Sequence, residues 1–203
     1  MTETASVEDG YTYGDPSIST SPVTLEELRE LKASVGFTDE DRQWLRQAGG
    51  VLDDQVRGIV TRWRSEIIAS IPHLARHSRS QDGTKLPGYL AKSNLRFEQW
   101  ILDSCLREYD QQWLNYQHEI ALRHTSLKKN QTDRVESTPF VPYRDIVAFS
   151  AALVDTMKPY LAAKGHPGYE VDAMHRAWAK SVQLQIALWS RTYMDLARTN
   201  NEW

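Results

Sequence analysis

Cysteine is nearly absent from this chain: Cys105 is the only one in 203 residues. A lone thiol closes no intrachain disulfide and builds no thiolate metal cage, which favours a reducing compartment. An excess of positive charge is missing as well. Twenty-four Lys and Arg stand against twenty-seven Asp and Glu, a net charge of −3, so no nucleic-acid partner is expected. No apolar run approaches the ~20 residues that span a bilayer. The opening MTETASVEDG is too polar for a secretory leader. Together these exclude a membrane partner and lead to the expectation of a cytoplasmic protein. There is no glycine-rich phosphate loop, no GxSxG elbow and no Cys–His pair to supply a nucleophile. Phenylalanine is scarce at four, yet tryptophan reaches seven and tyrosine nine. The chain uses large, flat side chains.

Met1 to Pro22 is rich in Ser, Thr, Gly and Pro and shows no helical period, so it reads as an N-terminal extension. Disordered tails are poor in aromatics, and Tyr11 and Tyr13 between Gly10 and Gly14 therefore predict that part of it docks on the body. From Thr24 onward the pattern is helical. Thr24 with Glu27 has capping-box spacing, and Thr38 with Asp41 is a weaker version. Leu52, Val56, Val60, Trp63 and Ile67 form one apolar stripe that predicts a single long helix closed by Pro72. Further stripes run from Leu90 to Cys105, from Trp113 to His124, from Ile146 to Leu161 and from Met174 to Tyr193. Lys164-Gly165 followed by Pro167 reads as a helix stop. No strand alternation, internal repeat or second domain is visible. The fold class is all-α.

The histidines carry most of the chemical information. His118 and His124 are six residues apart and point roughly 120° from each other on a helix, so they cannot grip one ion as a zincin pair does. His73 and His77 have a four-residue spacing, but nothing is placed to complete a metal site, and an exposed turn is the commoner reading. His166 reads as a solvated turn residue and His175 as a boundary position. Lys128 and Lys129 read as loop charges. His124 is different. It ends a stretch in which Trp113, Gln117 and Ile120 lie within about 40° of its direction. A neutral imidazole at that place can hold a metal cofactor between helices, although on pattern alone a hydrogen-bonded core histidine is the commoner explanation. An all-helical chain with one well-aimed histidine and surplus flat aromatics suggests haem.

The sequence resembles the protoglobins, single-domain members of the globin-coupled-sensor lineage. The resemblance runs from Gly10-Tyr11-Thr12-Tyr13-Gly14 to the end. It includes Pro22 to Leu28, Val51 to Val56 and Arg96 to Asp103. Its most specific block is Trp113-Leu114-Asn115-Tyr116-Gln117-His118-Glu119-Ile120-Ala121-Leu122-Arg123-His124. Lys128 to Asp133, Met157-Lys158-Pro159 and Ala187 to Ser190 support it.

This resemblance implies a globin-like helical sandwich with an extra first helix. Residues 1–22 would be an extension folding over the haem and 23–203 the globin domain. The proximal haem ligand would be His124, with haem b as the cofactor. Trp63 and Phe97 would stand on the distal side, Phe149 and Leu153 would form pocket wall, and Tyr11 and Tyr13 would cover the haem edge. The implied function is binding of dioxygen, carbon monoxide or nitric oxide, as a gas binder or sensor. A haem oxidoreductase consuming nitric oxide or peroxide is the alternative. Family members dimerise through their last two long helices, and the stripes around Val154, Met157, Trp178, Ile186 and Trp189 would supply that surface. A reductase or signalling partner would be a separate chain.

Three departures from the family matter. Ala121 stands where the family has glycine. One extra residue lies between Trp63 and Pro72. The family tyrosine after the distal tryptophan is replaced by Arg64, or by Ser65 if the insertion directly follows Trp63. Burying an unpaired guanidinium is expensive, so Arg64 is expected to point outward.

Overall fold

The computed structural model describes residues 10–200 and Glu202, apart from the side chains of residues 195 and 197–200. The first nine residues of the expected extension, and Trp203, lie outside the described residues.

Helix α1 (Leu25–Ser34) and helix α2 (Asp39–Leu52) both open on complete capping boxes. The Thr24 hydroxyl accepts from the Glu27 amide, and the Glu27 carboxylate accepts from the Thr24 amide at 2.7 Å. Thr38 and Asp41 repeat the arrangement. Each box satisfies two amide donors that a helix start would otherwise leave without partners.

The long helix expected up to Pro72 is broken. Val51 and Leu52 end α2, a turn follows at 53–55, and α3 spans Val56–Arg62. Gln55 holds the corner, donating from Nε2 to the carbonyls of Val51 and Tyr160. A π turn (Trp63–Ile67) and a 3-10 turn (Ile68–Ser70) continue to α4 (Pro72–Ala75). The Ile68 amide bonds the Trp63 carbonyl five residues back, the ring size that an inserted residue produces within a helix.

Next come α5 (Pro87–Leu106), α6 (Gln111–Leu122), α7 (Tyr143–Asp155), α8 (Lys158–Ala162) and α9 (Gly168–Asn200). Asp110 caps α6, its carboxylate accepting from the Trp113 amide at 2.9 Å. Among the described residues the extended pairings are two isolated bridges, Arg79 with Lys85 and Ser80 with Ser137. The protein is all-α.

Helix α9 is the spine, touching α2, α6, α7 and α8, while α5 packs on α2 and α3. The α2–α5 crossing is close because residue 49 is glycine. A Cβ there would lie 2.5 Å from Leu106 Cδ2 and 3.0 Å from Cys105 Cβ. The core holds Leu45, Leu52, Ile59, Trp63, Ile101, Trp113, Leu114, Met157 and Trp178, all within 1% of complete burial.

The stripe expected to face a partner is mostly spent inside one chain. Met157, Trp178, Ile186 and Trp189 are buried, and Val154 is half-buried. The apolar side chains exposed on α7 and α9 include Val147 and Met194 instead.

Candidate functional site

A cavity of about 240 Å³ lies where α5, α6, α7 and α9 meet the turns on either side of α4. Four of the residues singled out in the sequence line it together: His124, Phe97, Phe149 and Leu153. They come from three stretches of chain, α5, the end of α6 and α7, so only the tertiary fold makes those stretches neighbours.

His124 follows the last turn of α6. Its Nδ1 lies 2.8 Å from the Ile120 carbonyl oxygen. A carbonyl can only accept, so Nδ1 carries the proton and Nε2 of the neutral ring keeps its lone pair. Burial pushes the pKa down to about 4, against the smaller raising effect of the Ile120 carbonyl. The ring is therefore neutral at pH 7. It stacks on Trp189 at 5.7 Å and 21°. Trp189 is held in turn, its Nε1 donating to Gln117 Oε1 at 2.9 Å. Gln117, Ile120 and His124 thus share one side of α6, as their spacing predicts, and the Ile120 backbone sets the tautomer.

Phe97 forms a wall and rests on Trp63 and Trp100, with ring centroids 5.1 and 5.6 Å away. Trp63 does not itself line the cavity. It is fully buried behind Phe97, and its indole N–H is taken by Thr156 Oγ1 at 2.7 Å. Trp100 and Trp189 line the cavity as well as pack in the core.

Tyr11 and Tyr13 also stand one layer back from the cavity. Both meet the edge of Tyr116, which does line it, with centroids 5.3 and 5.5 Å apart. The Tyr11 hydroxyl donates to Asp103 at 2.6 Å, and Arg107 lies over the Tyr13 ring. Arg123 ties the same segment to α6 through Thr12 Oγ1 and the Gly10 carbonyl. Gly10 has φ +83°, and a Cβ there would meet Thr132 Cγ2 at 2.7 Å. Glycine permits both this backbone and this approach.

Arg64 overturns the outward expectation. It lines the cavity, its guanidinium lies 5.2 Å over the Phe97 ring, and Nη2 donates to Ser93 Oγ at 2.7 Å. Ser65 is exposed, its hydroxyl bonded to the Thr61 carbonyl. Two other residues depart in the same direction. His77 is buried on the cavity wall, with Thr138 Oγ1 2.8 Å from Nδ1 and Asp145 Oδ2 3.5 Å from Nε2. Lys129 is buried there too and donates to the His77 carbonyl and Ser137 Oγ. Burial lowers its pKa to about 8. Arg96 makes a two-pronged pair with Asp133.

None of these inward polar residues follows from helical periodicity. His77, Lys129 and Asp133 sit in short turns and loops whose direction the apolar stripes do not set. Among the described residues, no group of three or more His, Cys, Asp or Glu could hold a metal ion. His118 bonds Thr192 Oγ1 instead, at 3.0 Å. His166 pairs with Glu170 at 2.9 Å, where a solvated turn was expected. No described helix is long and apolar enough to cross a membrane.

The arrangement is chemically specific. A neutral imidazole with a fixed tautomer shares a cavity with six aromatic side chains (Tyr89, Phe97, Trp100, Tyr116, Phe149 and Trp189) and with four cations, Arg64, Arg96, Arg123 and Lys129, against two carboxylates, Asp133 and Asp145. Such a lining suits a flat aromatic group that carries a metal and negatively charged arms. No curated protein matches the chain. A family model described as Protoglobin matches residues 24–198.

Proposed function

Because the chain belongs to the protoglobin family, which implies a haem and gas binding, we propose that this cavity holds haem b with His124 as its axial ligand. The observation that carries the reading is the bond between His124 Nδ1 and the Ile120 carbonyl. It leaves Nε2 as the free donor atom, and such a partner on the remote nitrogen both orients a ligating histidine and raises its basicity. Haem bound there would supply an iron able to bind dioxygen, carbon monoxide or nitric oxide.

The chain's own residues do the rest. Trp189 and Gln117 hold the imidazole plane. Phe97, Phe149 and Leu153 exclude water, and Trp63 acts through Phe97 by fixing its position. Arg96, paired with Asp133, and Lys129, which donates to the His77 carbonyl and Ser137, are cations of the lining that would attract the propionates. Tyr11 and Tyr13 close the structure behind Tyr116. The protein acts as a gas binder or as a gas sensor, in the cytoplasm.

Absorption spectra of the purified protein, oxidised, reduced and under carbon monoxide, test this directly beside His124→Ala. The wild type is expected to show a Soret band and a carbon monoxide complex typical of histidine ligation. A wild type without a Soret band, or a variant with unchanged ligation, would refute the assignment. A homodimer through α7 and α9 is expected, with Val147 and Met194 on its surface. A monomeric mass in light scattering at micromolar concentration would exclude it.

A further inference from the structure

Arg64 is a half-buried cation on the cavity wall without a counter-charge. No carboxylate among the described residues forms an ion pair with it. Its Nη2 is bonded to a neutral hydroxyl, and its Nε–H is buried without any partner. The charged side chain that acts on it is Arg96, another cation, already paired with Asp133. The face of Phe97 supplies only part of what the guanidinium loses on leaving water.

A folded protein rarely leaves such a group uncompensated. The cost is tolerated where the group has work to do toward something that enters. The fold places Arg64 at the second position of the π turn, and that position opens onto the cavity. π turns of this kind recur at functional sites. A guanidinium with a donor to spare in a low-dielectric wall is complementary to an anion.

We propose that Arg64 makes the cavity a receptor for a small inorganic anion of the fluoride, azide or nitrite class, taken up beside the cofactor. The proposal rests on the haem reading above. The same guanidinium could instead serve a carboxylate arm of the cofactor, and the test separates the two sources.

The haem-loaded ferric protein is titrated with sodium fluoride and followed by absorption, for wild type, Arg64→Leu and Arg64→Lys. Losing one charge-assisted donor is expected to raise the fluoride dissociation constant of Arg64→Leu about 10- to 100-fold. Carbon monoxide, which is neutral, is expected to respond far less in the reduced protein. Arg64→Lys keeps the charge but not the planar fork, and is expected to fall between the other two. Transfer of haem to an acceptor globin is measured in parallel, and its rate is expected to change little. Unchanged fluoride affinity in Arg64→Leu would overturn the proposal. So would faster haem loss with unchanged fluoride affinity, which would assign Arg64 to the carboxylate arm. Arg64→Lys no better than Arg64→Leu would remove the role of charge. A wild type without a Soret band would overturn the haem reading and this proposal with it, whereas a normal Soret band with either of the preceding results overturns the proposal alone.

Discussion

Replacing His77 by asparagine probes one of the two imidazoles that the cavity keeps neutral. His77 is 9% exposed, between Thr138 and Asp145. The Asp145 carboxylate can only accept, so Nε2 carries the proton and Nδ1 accepts from the Thr138 hydroxyl. Burial lowers the pKa from 6.5 to about 4, and the Asp145 carboxylate offsets only part of the effect. In the unfolded chain the same ring takes up its proton near pH 6.5. Between those values the unfolded state binds more protons than the folded one, so stability rises with pH. The contribution is intact above pH 6.5 and is lost progressively as the pH falls toward 4. At ~1.4 kcal/mol per pH unit below 6.5, the loss between pH 7 and pH 5 is about 2 kcal/mol. Asparagine removes the titration while its amide oxygen, an acceptor like the unprotonated Nδ1, stands near the place of that nitrogen. Urea unfolding of wild type and His77→Asn at pH 7 and pH 5 gives the difference in slope, free of what other groups contribute to both. Wild type is expected to lose about 2 kcal/mol more than the variant over this interval. Parallel pH profiles would refute the reasoning, because they would mean that His77 is protonated in the folded state or solvated within it.

Three further outcomes follow from the packing. Trp189→Phe removes the donor to Gln117 Oε1 and leaves that oxygen buried, at a cost of about 1–3 kcal/mol. A melting temperature equal to that of wild type would count against it. Gly49→Ala is expected to destabilise by about 1 kcal/mol, since overpacking against Cys105 outweighs the gain in helix propensity. Gly50→Ala meets nothing within 4 Å and should stabilise by up to about 1 kcal/mol, so the two melting temperatures should move in opposite directions. Cys105 is fully buried, and burial pushes its thiol up to about 12. It should not react with a thiol-specific disulfide reagent at pH 8 until the protein unfolds, and rapid labelling of the folded protein would contradict the burial.

The elements that sequence pattern reveals best are those in which local chemistry and burial agree. Both capping boxes form as their spacing predicts, and Gly165 takes the positive φ of a helix stop. The apolar stripe from Leu52 to Ile67 does face inward. Its continuity as one helix fails because the Gln55 corner depends on the Tyr160 carbonyl, a partner 105 residues away. Trp63 is buried as an apolar stripe requires, yet periodicity cannot distinguish a cavity wall from the layer behind it. Arg64 was misread for an energetic reason. The rule that unpaired guanidinium groups stay outside describes ordinary cores, and this one faces a cavity.

By itself the sequence determined the all-α class, the family, and the side of α6 that His124 shares with Gln117 and Ile120. The class and the helix face follow from helical period, capping and composition, and the family from the resemblance of its ordered motif blocks, all local along the chain. Only the tertiary structure decided which side chains meet in the cavity. It moved Trp63, Tyr11 and Tyr13 one layer back, and brought Arg64, His77 and Lys129 to the wall. The physical reason is that these positions depend on partners far away in sequence: Thr156 for Trp63, Asp103 and Tyr116 for the two tyrosines, and Ser93 for Arg64. A scarcity of phenylalanine and a surplus of tryptophan announced flat side chains, and packing assigned those among the described residues their places.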